Sequence, residues 1–241
     1  MVRLSLAVIF CFFLVVWTEC LADGEGGSVE MAIGGVRLAI PSRYVLPGFP
    51  STIVPEGGGL DEEENGVSLE IPLGDLKVDF EGGGVTVNKV VVLVSGAWGE
   101  GGVQLSPAAI DAWRGEGLYR ESVVEFDSEV NLYRIYPRAG YPVIWQYFRS
   151  SPSEGGDAVK NWVASCMASP GADGGIGLAN TRCKFISLCG TVRSELTLFG
   201  AGIRLMDVVL REYKKMVVHW AQEAKAASVG LRELGLSETP L

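Results

Sequence analysis

The apolar residues of this chain change period once, and late. From Met31 to Phe199 they fall in short runs, many of them alternating apolar and polar, broken by Gly, Pro and Ser. After Gly200-Ala201-Gly202 the pattern differs: Met206, Val209, Leu210, Tyr213, Met216 or Val217, Trp220 and Ala224 recur at three and four. Alternation puts every second side chain on one face of a strand, whereas recurrence at three and four draws a stripe down one side of a helix. A chain that repeats the first pattern and ends on the second is an α+β chain. The expected architecture is a largely antiparallel sheet packed by a long C-terminal amphipathic helix, over about residues 203–227. Arg211, Lys214, Lys215, Gln222 and Glu223 fall on the polar side of that helix.

The strands can be placed in outline. Met31-Ala32-Ile33 and Val36–Ile40 flank Gly34-Gly35, which supplies the positive φ angles of a two-residue hairpin turn. Tyr44-Val45-Leu46 leads into an irregular stretch held by Pro47, Pro50 and Pro55. Val67–Ile71 and Leu76–Phe80 alternate as half-buried strands should. Val85–Val94 is a long β-branched run, and Val90–Val94 is apolar on both faces, as a central strand would be. Ser106-Pro107 is a helix start, a capping hydroxyl followed by a proline at the first helical position. The short helix it opens ends at Gly115 or Gly117. Further strands are expected at Val123–Phe126, Val130–Tyr136, Tyr141–Phe148, Asn161–Met167, Arg182–Leu188 and Val192–Phe199. The strand holding Trp145, Tyr147 and Phe148 reads as a buried aromatic one.

The first residues read as an address. Arg3 precedes an apolar run from Leu4 to Trp17, and Cys20-Leu21-Ala22 offers small residues before Asp23. This is the pattern of a secretory signal peptide over residues 1–22, with an apolar run short of the roughly 20 residues a spanning helix needs. The expected mature chain is a single α+β domain over 23–241, periplasmic, with no stable membrane anchor after cleavage. In such an oxidising compartment Cys166, Cys183 and Cys189 remain, and two of them should pair. Cys166 with Cys183 is the first choice, as a bridge between adjacent antiparallel strands; Cys166 with Cys189 is the second.

Composition then removes chemistries. The net charge of −9 opposes binding to nucleic acid, which needs clustered Lys and Arg. His219 is the only histidine, so a multi-histidine zinc site is impossible within one chain, and its place off the helical stripe reads as surface. No Gly-x-Ser-x-Gly elbow, Ser-x-x-Lys pair or Walker loop occurs. The glycines of Gly171–Gly177 lack a following lysine and read as a flexible connection. Asp61, Glu63, Asn65 and Gly66 resemble half of a calcium loop, but Pro72 stands where its bidentate Glu is needed. No cofactor, metal or catalytic residue is therefore assigned. Asp61, Glu62, Glu63 and Glu64 form an exposed acidic loop that would suit a cationic surface on a partner protein. The segments 150–157 and 169–180 are the next loops to consider.

One stretch looks familiar. Ile33-Gly34-Gly35-Val36, then Ile40-Pro41 and Tyr44, close after an export signal, resembles the start of a loose group of exported bacterial proteins. Late cysteines on strands, here Cys166 and Cys183, followed by a Trp-bearing final helix, here Trp220, recur in that group. Several of its members look like periplasmic immunity proteins that neutralise type VI secretion effectors, phospholipase toxins among them. The resemblance implies a non-enzymatic protein that works by binding a toxin. Two other readings remain: a cell-envelope hydrolase using a carboxylate pair, among 29 acidic residues, and a structural or ligand-binding envelope protein.

Overall fold

The computed structural model describes residues 27–51, 66–78, 88–96, 104–138, 143–168 and 181–233. The leader over 1–22, the acidic loop at Asp61–Glu64 and the segment 169–180 lie outside the described residues.

The chain opens with a hairpin, β1 (Ser28–Ile33) and β2 (Val36–Pro41), paired antiparallel. Gly34 and Gly35 form its turn, at φ +57° and +73°. Gly34 answers a second demand as well, because a Cβ there would lie 2.3 Å from the carbonyl oxygen of Thr191. The hairpin tip rests on the turn between two strands of the main sheet, and the Thr191 hydroxyl donates to the Gly34 carbonyl.

Among the described residues the main sheet has nine strands: β3 (Val45–Ser51), β4 (Gly66–Pro72), β5 (Lys89–Gly96), β6 (Val123–Asp127), β7 (Leu132–Tyr136), β8 (Ile144–Phe148), β9 (Trp162–Ala168), β10 (Thr181–Cys189) and β11 (Val192–Phe199). Their spatial order is β3-β4-β5-β11-β10-β9-β8-β7-β6, with every neighbouring pair antiparallel. The chain thus lays down β3, β4 and β5 side by side, crosses to the far edge, and returns strand by strand from β6 until β11 meets β5. The crossing connection carries α1 (Pro107–Arg114), which starts as the sequence predicts: Ser106 Oγ accepts from Ala109 N at 3.3 Å, and Gly115 caps the other end at φ +67°. A single turn, α2 (Ala158–Asn161), precedes β9.

The last strand runs through a 3-10 turn, Gly200–Leu205, into α3 (Met206–Glu233). The expected stripe is the buried one: Met206, Val209, Tyr213, Val217, Trp220 and Ala224 are all buried. They pack on β2 and β10 and join one cluster with Ile33, Leu38, Ile40, Val92 and Phe185. Trp220 sits between Tyr44 and Tyr213, each 6.2 Å away by ring centroids. Hairpin and helix together cover one face of the sheet. On that face Cys166 lies opposite Cys183 in the β9–β10 register, and the two form a disulfide, leaving Cys189 free.

Three expectations need correction. Leu76–Phe80 is not a strand over its described part. Residues 73–77 fold into turns, with Val78 N donating to Leu73 O, and Leu76 and Val78 are buried as the plug of a corner. Alternation there came from which residues fill the corner. Val45–Ser51 is a strand despite its prolines, because it lies at the sheet edge, where a missing N–H costs no ladder bond on the outer side. Its pairing with β4 slips between Val45 and Pro50. Val90–Val94 is an interior strand as expected, with Val90, Val92 and Val94 fully buried on one face and Val91 and Leu93 half-buried on the other. Finally, the helix begins three residues later and runs further than 227, through Gly230, to Glu233.

Candidate functional site

The second face of the sheet is where the structure leaves room. The crossing connection must pass over it to reach the far edge, and α1 lands at the β7–β8 end. There Ala112 packs with Tyr119, Ile135 and Phe148, and Trp113 lies 5.0 Å from the Phe148 ring. The residues just before α1 stand over the middle strands instead. Between them and the sheet lies a cleft of about 460 Å³. Gln104, Leu105, Ser106 and Pro107 form its roof; Trp162, Ser165, Lys184, Ile186, Arg193 and Glu195 form its floor and walls.

Alternation explains this lining. On β10 and β11, Phe185, Ser194 and Leu196 point toward α3, so their neighbours Lys184, Ile186, Arg193 and Glu195 point the other way. Glu195 sits between two cations, accepting from Lys184 Nζ at 3.3 Å and from Arg193 Nη2 at 3.4 Å. One carboxylate against two cations leaves the cleft locally positive on a chain of net charge −9. Deeper in, Trp162 Nε1 donates to Gln146 Oε1 at 3.0 Å and Gln146 Nε2 donates to Ser165 Oγ at 2.8 Å. Gln146 is buried, and this relay fixes its amide orientation.

Within the cleft, Ser165 Oγ accepts from the Gln146 amide, and the Glu195 carboxylate is shared by Lys184 and Arg193. The lone histidine is elsewhere, on the exposed side of α3, with Nε2 3.2 Å from Glu223. Among the described residues no group of three or more His, Cys, Asp or Glu side chains is placed to hold a metal ion.

A second cluster lies on the helix-side face at the far edge, and sequence reasoning missed it. Arg134 bonds Glu125 at 2.9 Å and lies over the rings of Tyr136 and Trp145. Tyr136 donates to Glu125 at 2.5 Å and Tyr147 to Asp127 at 2.7 Å. Burial, and then the bond to Asp127, push the Tyr147 phenol well above its ordinary range. The signal available in the sequence was alternation of Glu125 with Asp127 against Arg134 with Tyr136. It becomes a cluster only once β6–β8 pair in register.

Glu125 and Asp127 are the carboxylate pair that a hydrolase reading would choose, two residues apart on one strand and therefore roughly 7 Å between Cα atoms. The hydrogen bonds from Tyr136 and Arg134 hold the Glu125 carboxyl below its ordinary value, which suits the ionised member of such a pair and not the general acid, whose value must be held above the ordinary one. Of the candidate loops, 150–157 is described: it forms a 3-10 turn, Pro152–Glu154, and Asp157 caps α2 through the Val159 amide at 2.8 Å.

No family model matches the chain, and no curated protein is significantly similar to it in sequence. Among solved structures, an immunity protein of the Stenotrophomonas maltophilia type IV secretion system is similar, at 13% identity and a TM-score of 0.44. The match covers 80% of this chain and 93% of that chain. A likeness this distant carries no argument about function.

Proposed function

We propose that this chain is an exported, non-enzymatic protein that binds another protein, as an immunity protein neutralising a secreted antibacterial toxin in the periplasm. The observation that carries the reading is the cleft beneath the crossing connection. It has the size and mixed polarity of a recognition site, and its polar groups hold one another in place. The export pattern at the start of the sequence and the resemblance of Ile33–Tyr44 support the same reading. Type VI delivery and a phospholipase activity of the toxin are the finer parts of the proposal and rest on that resemblance alone. Inhibition would be steric, with the partner's loop seated in the cleft and the acidic Asp61–Glu64 loop as a further contact.

The test is co-expression with the product of the neighbouring open reading frame. The native chain is expected to co-purify with it and to protect cells from it. Neutralising the cleft cations with Lys184→Gln and Arg193→Gln should weaken the complex at least tenfold while leaving the melting curve nearly in place, since such partly exposed ion pairs contribute little to stability. Absence of both complex and protection would refute the reading.

A further inference from the structure

The two edges of the nine-stranded sheet are built differently. At one edge β3 is broken in register and carries Pro47 and Pro50, neither with an N–H to offer. At the other, β6 reads Val123-Val124-Glu125-Phe126-Asp127, with no proline, glycine or lysine. Among the described residues β7 is its only strand neighbour, so alternate N–H and C=O groups of β6 face outward unpaired. The side chains are also exposed: Phe126 at 54% and Val124 at 42%, both on the face away from α3. Phe126 is held in place by an edge-on contact with Tyr133, 5.3 Å between ring centroids. On the opposite face of the same strand stand Glu125, bonded by Arg134, and Asp127, bonded by Tyr147.

We propose that β6 takes up an extended segment of a partner protein as a further strand of the sheet. That segment would set apolar residues beside Val124 and Phe126 and basic residues beside Glu125 and Asp127. Backbone hydrogen bonds would supply the affinity and the alternation would supply the choice of partner. The acidic net charge of −9 favours a basic segment. A second copy of this chain is the poorer occupant: the symmetric antiparallel register that sets Val124 against Phe126 also sets Glu125 against its own copy. The inference deepens the partner-binding reading above and rests on it.

The probe is a fluorescein-labelled peptide of alternating valine and lysine, titrated against the full mature chain by anisotropy in physiological salt. Saturable binding is expected. N-methylation of alternate peptide residues should cost at least tenfold in affinity in one of the two alternations and little in the other, because only one set of N–H groups faces β6. Phe126→Glu should weaken binding at least tenfold, although simple adsorption of a cationic peptide would gain from the added carboxylate. Val218→Glu, on the exposed side of α3, should leave binding unchanged. No binding, equal affinity of both N-methylated peptides, or tighter binding to Phe126→Glu would each overturn the inference. So would a dimer of the free chain that Phe126→Glu disperses, since that would put a second copy on the edge. Complex formation with the toxin but no peptide capture would overturn this inference alone.

Discussion

Between α3 and the sheet, one hydrogen bond interrupts an apolar interface, and its worth can be worked out. Tyr213 Oη and Ser194 Oγ lie 2.8 Å apart, on residues that are 0% and 2% exposed. Deleting the phenol oxygen with Tyr213→Phe removes the bond and strands the serine hydroxyl where water cannot reach it. The stranded group sets the cost, so the loss should be about 1–3 kcal/mol. Ser194→Ala strands the phenol instead and should cost a similar amount. The double variant strands neither group and should lose clearly less than the two single losses combined, with a coupling of about 1–2 kcal/mol. Urea unfolding at pH 7 is the assay; at a slope near 2 kcal/mol/M, a 2 kcal/mol loss moves the midpoint by about 1 M, with the slope itself unchanged. The same pair predicts alkaline behaviour. Burial raises the Tyr213 phenol far above the value of 10 it has when unfolded. The neutral phenol is therefore favoured by the fold, its stabilisation is fully present below pH 10, and it is lost as pH rises toward the folded pKa. Each such tyrosine adds about 1.4 kcal/mol per pH unit to that loss. Tyr213→Phe should reduce the alkaline slope by that amount, leaving the share due to Tyr147 and the other raised tyrosines. Additive losses in the double variant, or an unchanged alkaline slope, would refute the account of this bond as a buried and mutually dependent pair.

Three other outcomes follow from the structure. Gly35→Ala meets nothing within 4 Å and should cost only its left-handed backbone, about 1 kcal/mol, whereas Gly34→Ala adds a collision with the Thr191 carbonyl and should cost about 3 kcal/mol; equal melting temperatures would contradict this. Replacing both Cys166 and Cys183 by alanine should cost roughly 3 kcal/mol in a denaturant titration, the amount expected for closing a loop of 17 residues. Tyr136→Phe removes the largest influence holding the Glu125 carboxyl down, so its pKa, followed by carboxyl NMR, should rise; an unmoved titration would place the control with Arg134 instead.

Much of the fold was legible locally, and the site was not. The hairpin at Gly34-Gly35, the capped start at Ser106-Pro107 and the helical stripe were each readable because a few neighbouring residues fix them. The Cys166–Cys183 pairing was readable because two strands joined by one loop have few ways to lie together. Leu76 misled because a buried corner and a half-buried strand can share one pattern. The cleft needed Ser106 to stand over Lys184 and Glu195, residues far apart in the chain, and nothing near any of them announces the others. The Arg134 cluster was hidden for the same reason.

The sequence by itself determined which segments extend, which one coils, where the chain turns, and which side of each element seeks the core. Those properties follow from covalent geometry and from burial of apolar side chains within one element. Only the tertiary structure decided that β11 inserts beside β5, which sends the connection through α1 across the sheet and leaves a cleft beneath it. It also decided that β6, which has no proline, holds the edge opposite the proline-bearing β3. Strand order is a contest among non-local pairings of similar local strength, and it is settled by how all faces can be covered at once.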